Sequence, residues 1–182
     1  MMRENIESAR QKYKPNVIKF LLIAEAPPPP ESKRFFYFPD VKIHDHLFLE
    51  TMKAVYQCDD TKSIRRQKRK LLERFKNDGF YLIDASDESI KDKSQSGKEK
   101  QIRESLPALI EKVRSLVSED TKIILISKTV YKVCFEELKL KGFNVINKCS
   151  IPFPCSGQQK RFREKLSSLL NEYGWQSSSN LT

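Results

Sequence analysis

Apolar residues along this chain fall into four short runs separated by stretches with helical spacing. Val17 to Ala24 is almost continuously apolar, the pattern of a strand buried on both faces within a parallel sheet. Phe80 to Ala85 and Lys122 to Ser127 repeat it, and Phe143 to Asn147 is a shorter fourth run. Around these strands apolar positions recur every three or four residues, as in amphipathic helices. Glu4 to Tyr13 is a short polar helix ended by Pro15. Asp45 to Tyr56 presents Phe48, Met52, Val55 and Tyr56 on one side. Thr61 to Asn77 presents Ile64, Leu71, Leu72 and Phe75, and Gly79 is placed to terminate it. Glu99 to Ser118 follows, with Pro107 marking either the start of regular helix near Ser105 or a kink. Thr129 to Leu140 ends at Gly142, and Gln159 to Tyr173 turns Phe162, Leu166, Leu169 and Leu170 inward. Trp175 is expected to fold back on that last helix.

Strands alternating with helices predict an α/β fold. Specifically, they predict a three-layer α/β/α sandwich around a four-stranded, mainly parallel sheet with right-handed crossovers. Residues 1–175 are expected to form a single domain and residues 176–182 a disordered tail. Ligands of such sheets bind beyond the carboxyl ends of the strands. The informative loops are therefore Glu25–Ile43, Asp84–Lys98, Lys128–Thr129 and Lys148–Gln158. Ser86 to Lys98 is polar and expected to be mobile.

Charge changes the picture. Lys and Arg number 34 against 24 acids, a net charge of +10, which favours a polyanionic partner. The helix Thr61–Asn77 carries Arg65, Arg66, Lys68, Arg69 and Lys70 opposite its apolar side. A nucleic acid, DNA first, is the expected partner, and no membrane is. Phe20 to Ala24 is the longest apolar run, far short of the roughly 20 residues that span a bilayer. The N-terminal MMRENIESARQKYK has no apolar stretch, so no secretory signal is expected. Cys58, Cys134, Cys149 and Cys155 lack CxxC spacing. They are expected to be reduced thiols of a cytoplasmic protein, with no zinc, no cluster and no cofactor. His44-Asp45-His46 resembles a metal motif but has no third ligand in sight, and Asp45 is a natural helix N-cap. A monomer is expected.

Two loops carry candidate chemistry. Glu25 stands at the end of the first strand, before Ala26 and the prolines Pro27 to Pro30. A carboxylate there is placed to orient or deprotonate a water. Phe35 and Phe36 offer flat faces for stacking on a base; one is expected in the core and one in the cleft. Asp84 ends the second strand. The last loop, Ile151-Pro152-Phe153-Pro154-Cys155-Ser156-Gly157-Gln158, leads into a helix N-terminus with Lys160 and Arg161. Its backbone N–H groups at Ser156, Gly157 and Gln158, with those cations, are suited to phosphate. Neither Ser156 nor Cys155 has a His partner of the kind a nucleophilic triad needs.

The strand–Ala24-Glu25-Ala26-Pro27 turn, the Phe35-Phe36 pair and the Pro152-to-Gln159 segment together resemble the uracil-DNA glycosylase superfamily. The resemblance runs from about Val17 to Leu170 and is nearest to a glycosylase-like branch of that superfamily. It implies hydrolysis of the N-glycosidic bond of a uracil or other damaged base flipped out of DNA. Glu25 would be the water-activating carboxylate, and Phe35 or Phe36 the stacking ring. Ala26, Pro27, Asp84 and Phe153 would line the base site, and Ser156, Gly157, Gln158, Lys160, Arg161, Arg65, Arg66 and Arg69 would follow the nucleic-acid backbone. The chain departs from the family in three places. Ile151-Pro152-Phe153-Pro154 replaces its His-Pro-Ser-Pro, the uracil-reading asparagine is not evident, and the cluster cysteines are missing. Two other readings stand beside this one: a catalytically silent nucleic-acid-binding module, and a hydrolase of free nucleosides or nucleotides.

Overall fold

A computed structural model of the chain describes residues 2–41 and 43–177. The expected tail 176–182 falls largely outside them, at 178–182. Strands β1 (Phe20–Ala24), β2 (Phe80–Asp84) and β3 (Lys122–Leu125) form a parallel sheet in the order β2-β1-β3. The register pairs Phe20 with both Phe80 and Lys122, and Ala24 with Asp84. Helix α1 (Met2–Lys12) precedes β1. Helices α2 (His46–Tyr56), α3 (Thr61–Arg66) and α4 (Lys68–Asn77) connect β1 to β2. Helix α5 (Gln95–Leu116) connects β2 to β3, and α6 (Lys128–Leu140) and α7 (Gln159–Glu172) follow. The step from β1 to β2 runs one way across the sheet and the step from β2 to β3 runs the other. Right-handed crossovers then put α2–α4 and α5 on opposite faces. Helix α7 packs on α2 and α6 packs on α5, which completes the two outer layers.

The core follows from strand alternation. Phe20 stacks on Phe80 at 4.9 Å and Phe80 on Phe75 of α4 at 5.1 Å. Side chains alternate across a pleated strand, so Leu22, Ala24, Leu82 and Asp84 share the α4 face. Trp175 closes the opposite end of this face. Its backbone N–H donates to Leu170 O, as expected of a residue folding back on α7. Its indole packs on Phe80 at 4.7 Å and donates to Val55 O at 2.9 Å.

Several expectations about elements need correction. The first strand begins at Phe20, because Val17 is exposed and Ile18 spends its carbonyl on the Thr121 hydroxyl. The basic helix breaks at Gln67, and Lys68 is buried rather than on the solvated face. Helix α5 starts earlier than expected, at Gln95, capped by the Ser94 hydroxyl, and runs through Pro107. The polar loop before it is tied down by the Gln101 amide, which donates to Ser86, Glu88 and Ser89.

The expected fourth strand, Phe143–Asn147, reduces to isolated parallel bridges at Val145 and Ile151. The cause lies in the outer edge of β3. Ile123 N donates to Asn144 O, and Ile146 N returns to Ile123 O. At Leu125 the side-chain amide of Asn147 takes over both roles, accepting from Leu125 N at 3.0 Å and donating to its carbonyl at 3.2 Å. A continuous strand would bring the carbonyl of Lys148 to Ser127. The actual acceptor for Ser127 N is Ile151 O, three residues further on. The other sheet edge is closed in the same way, since the Tyr37 hydroxyl accepts from Leu82 N at 2.7 Å and donates to Leu82 O at 3.1 Å.

Both closures are buried, so leaving a backbone group unpaired costs about 1–3 kcal/mol each. Tyr37→Phe removes the hydroxyl that serves both the N–H and the C=O of Leu82 and is expected to lower the free energy of unfolding by about 2–4 kcal/mol in urea titration. Asn147→Ala strips a donor and an acceptor and is expected to cost about 2–4 kcal/mol. A loss below about 0.5 kcal/mol for both would show that the edges are closed by something else.

Candidate functional site

Beyond the carboxyl ends of β1 and β2 lies a cavity of about 270 Å³. Ala26 and Pro28 of the loop after β1 form one part of its wall, and Phe35 and Phe36 another. Leu82 and Asp84 supply the strand side, Asp45 and His46 the start of α2, and Phe153 and Cys155 the last loop. His44, Arg34 and Leu47 complete the lining. The loops after β1 and after the discontinuous fourth segment therefore meet at one end of the sheet, as the sequence predicts. Asn147 enables this, because the detour it permits delivers Ile151 to β3 and projects Phe153 past the strand end.

The buried polar part of the wall is two carboxyls, each backed by a buried cation, while Arg34 and His44 are exposed and His46 is half-buried. Asp84 Oδ2 accepts from Arg10 Nη2 at 2.7 Å. The Arg10 guanidinium lies over the Phe35 ring at 5.3 Å and also reaches Glu7. Burial pushes the Asp84 carboxyl up to about 6, against the opposing pull of Arg10 and Lys112 and with help from Asp87. Asp45 Oδ2 accepts from Lys68 Nζ at 2.5 Å, and that ammonium sits 4.3 Å above the Phe48 ring. Burial raises the Asp45 carboxyl and lowers the Lys68 ammonium, and each opposes the other's shift. Asp45 holds the N-cap position of α2 as expected but makes no side-chain cap there, because its carboxyl is committed to Lys68.

The sequence-predicted residues divide into three sets. Ala26, Phe35, Phe36, Asp84 and Phe153 converge on the cavity. Pro27 is buried between Ala26 and Pro28. Phe35 and Phe36 are both core residues as well as wall residues, so the expected split between core and cleft is replaced by a shared role. Phe36 is fixed by ring contacts with Tyr37, Phe48 and Phe75, while Phe153 is half-buried.

Glu25 is not part of that wall. It follows Ala24 and so takes the opposite side of the pleat, where its Oε2 meets Lys98 Nζ of α5 at 3.4 Å. Around the last loop, Cys155, Ser156, Gly157 and Gln158 are exposed. Ser156 and Gly157 both have positive φ, and Gln158 N closes the turn onto Cys155 O. Lys160 and Arg161 are exposed beside it. Arg66 and Arg69 are exposed on the α3–α4 surface, Arg69 near Asp40 at 3.3 Å, and Arg65 is half-buried.

Sequence reasoning missed Arg10, Asp45 and Lys68 as site groups. The Arg10–Asp84 and Asp45–Lys68 pairs span 74 and 23 residues, and nothing local in the sequence marks them. Among the described residues no three His, Cys, Asp or Glu side chains are placed to hold a metal, and no helix is long and apolar enough to cross a membrane. No protein-family model matches the chain, and no curated protein matches it either.

Asp84 gives a test with a defined sign. Its carboxyl titrates near 6 when folded and near 3.9 when unfolded. The folded state therefore holds the proton more tightly. Its contribution is full below about pH 4 and is lost as pH rises through 6, at a cost of up to about 3 kcal/mol. The Asp84 13Cγ titration is expected to have its midpoint near 6 and to move higher in Arg10→Met. Stability relative to Asp84→Asn should fall between pH 4 and 6. A midpoint below 4 would mean that Arg10 outweighs burial.

Proposed function

We propose that this protein binds DNA and accepts one base, turned out of the helix, in the cavity beyond β1 and β2, as a glycosylase-like N-glycosidic hydrolase. The observation that carries the reading is the convergence of Phe35, Phe36 and Phe153 with the Asp84 carboxyl on one cavity. Flat apolar rings and a single well-placed polar group are what recognition of a heterocycle requires. A volume of about 270 Å³ lies just under the range of roughly 300–1,000 Å³ for sites of drug-sized ligands, which suits a base better than a nucleotide. Resemblance to the uracil-DNA glycosylase superfamily supports the same reading.

In this reading the sugar and phosphates remain outside the cavity. The turn at Ser156 and Gly157, with Lys160 and Arg161, takes the backbone near the flipped base, and Arg65, Arg66 and Arg69 extend the cationic track. Glu25 holds the attacking water and favours the cationic sugar of a dissociative transition state. The missing histidine leaves backbone amides of the last loop to stabilise the departing base. One lost donor of that kind costs about two to three orders of magnitude in rate, so turnover on ordinary uracil is expected to be slow. The Glu25–Lys98 pair favours a second reading, a binding module without chemistry, because it partly neutralises the carboxylate.

A panel of oligonucleotides carrying uracil, hypoxanthine, xanthine and alkylated bases separates the two. Base release by the wild type that is abolished in Glu25→Gln, with affinity kept, supports hydrolysis. Binding without release from any of them supports the module. Phe153→Ala is expected to weaken engagement of the extruded base by about 1–3 kcal/mol with little loss of stability. Phe36→Ala should cost about 3–5 kcal/mol of folding stability and is the poorer probe.

Affinity should also fall steeply with salt. Reversing Arg65, Arg66 and Arg69 to Glu is expected to lower it and flatten the salt slope. Unchanged affinity would confine the cationic track to the last loop.

A further inference from the structure

The wall of the cavity has an unequal hydrogen-bonding character. Asp84 is buried, and its Oδ2 is committed to Arg10. Its Oδ1 receives no hydrogen bond from any described residue. Asp84 is part of the cavity wall, so Oδ1 is the acceptor left for whatever enters. Across the cavity Asp45 repeats the arrangement, with Oδ2 on Lys68 Nζ. Neither cation is part of the lining. The buried polar groups of the lining, Asp84 and Asp45, are both acceptors; the donors of the lining are the exposed Arg34 and His44 and the half-buried His46, and the rings contribute none.

We infer that the cavity selects bases that present an amino group to Asp84, over their oxo counterparts. The inference rests on the reading that the cavity takes a base, and it names the class of base. A carboxylate oxygen accepts from an exocyclic amine, as Asp and Glu do from the cytosine amino group in readout of DNA. An oxo base turns a carbonyl lone pair toward the same oxygen, and its ring N–H is flanked by that carbonyl. Even when that N–H donates to Oδ1, the neighbouring carbonyl lone pair is brought against the carboxylate in a buried site, where an unpaired acceptor is penalised most. An asparagine would carry an N–H for the carbonyl, and this chain has none at position 84. The ring faces of Phe35, Phe36 and Phe153 are indifferent to the exchange of amino for oxo, so the discrimination falls on Asp84.

The test uses the full chain and matched pairs of bases methylated at the glycosidic nitrogen, so that no extra ring N–H is present: 1-methylcytosine against 1-methyluracil, and 9-methyladenine against 9-methylhypoxanthine. Each is titrated at pH 7.5 and followed by NMR through the Phe153 ring and the Asp84 carboxyl. The amino member of each pair is expected to bind about tenfold more tightly or better, the size of one hydrogen bond to a charged group. Phe153→Ala should weaken all four alike. Asp84→Asn should narrow or invert the preference, because its amide supplies a donor for the oxo group. The wild-type comparison stands without that variant, should the loss of Arg10's counter-charge prevent folding. 1-Methyluracil binding as tightly as 1-methylcytosine, or a folded Asp84→Asn protein that keeps the amino preference, would overturn the inference and leave the base pocket in place. Binding of none of the four would overturn the base pocket and the inference together.

Discussion

A parallel sheet of three strands has two edges for only one interior strand, and every outward N–H and C=O on those edges must find a partner. This requirement shapes the end of the molecule that holds the cavity. On β2, the Tyr37 hydroxyl serves both backbone groups of Leu82. The same contact anchors the loop that carries Phe35 and Phe36. On β3, the Asn147 amide serves both backbone groups of Leu125, and the detour beyond it carries Phe153 past the strand end. The two aromatic walls of the cavity are held by the residues that finish the sheet. The walls are therefore as rigid as the sheet edges, which a site needs if it is to read a flat ligand.

Burying two carboxyls beside that cavity carries a desolvation cost. Arg10 and Lys68 offset it, Arg10 from α1 ahead of the sheet and Lys68 from the start of α4 within the β1–β2 connection. Removing one partner of such a pair costs about 3–5 kcal/mol, whereas replacing both by apolar groups is often neutral. The pairs are thus weak evidence for stability and stronger evidence that a polar wall is needed there. Ser127 adds strain to the same end of the sheet. It has φ 88° and ψ 153°, a region nearly restricted to glycine that costs about 1–3 kcal/mol. Its N–H bond to Ile151 and its cap of Val130 N hold it there.

The α/β class, the three parallel strands and the meeting of the first and last loops were legible because they rest on local periodicity and on the handedness of crossovers. Helix α2 is an example: Phe48, Met52, Val55 and Tyr56 are all buried. The fourth strand was misread because Phe143–Asn147 has the composition of a strand while Asn147 interrupts it with a side chain that imitates a peptide. Lys68 was misread because a cation within a basic run carries no mark of burial, and its partner Asp45 lies on another helix. Arg10 was invisible for the same reason. The convergence of Phe35, Phe36, Asp84 and Phe153 was legible from loop positions, but the side of the sheet taken by Glu25 was not. That side depends on strand parity, which shifts with the exact residue at which β1 starts.

Parity also bears on how Glu25 and Asp84 divide their work. Ala24 and Asp84 are paired neighbours on β1 and β2, and Glu25 is one residue beyond, on the other side of the pleat with Lys98. The two carboxylates therefore sit close along the sheet but in separate surroundings, Asp84 buried in the cavity wall and Glu25 partly open to solvent. If a base occupies the cavity, its glycosidic bond lies at the mouth and its sugar outside. A carboxylate that orients water at that bond belongs outside the cavity, where water is available. One that reads the base belongs inside, where a single unpaired oxygen discriminates most strongly. Recognition by Asp84 and chemistry by Glu25 are then separable functions, set by adjacent strand ends and divided by the pleat.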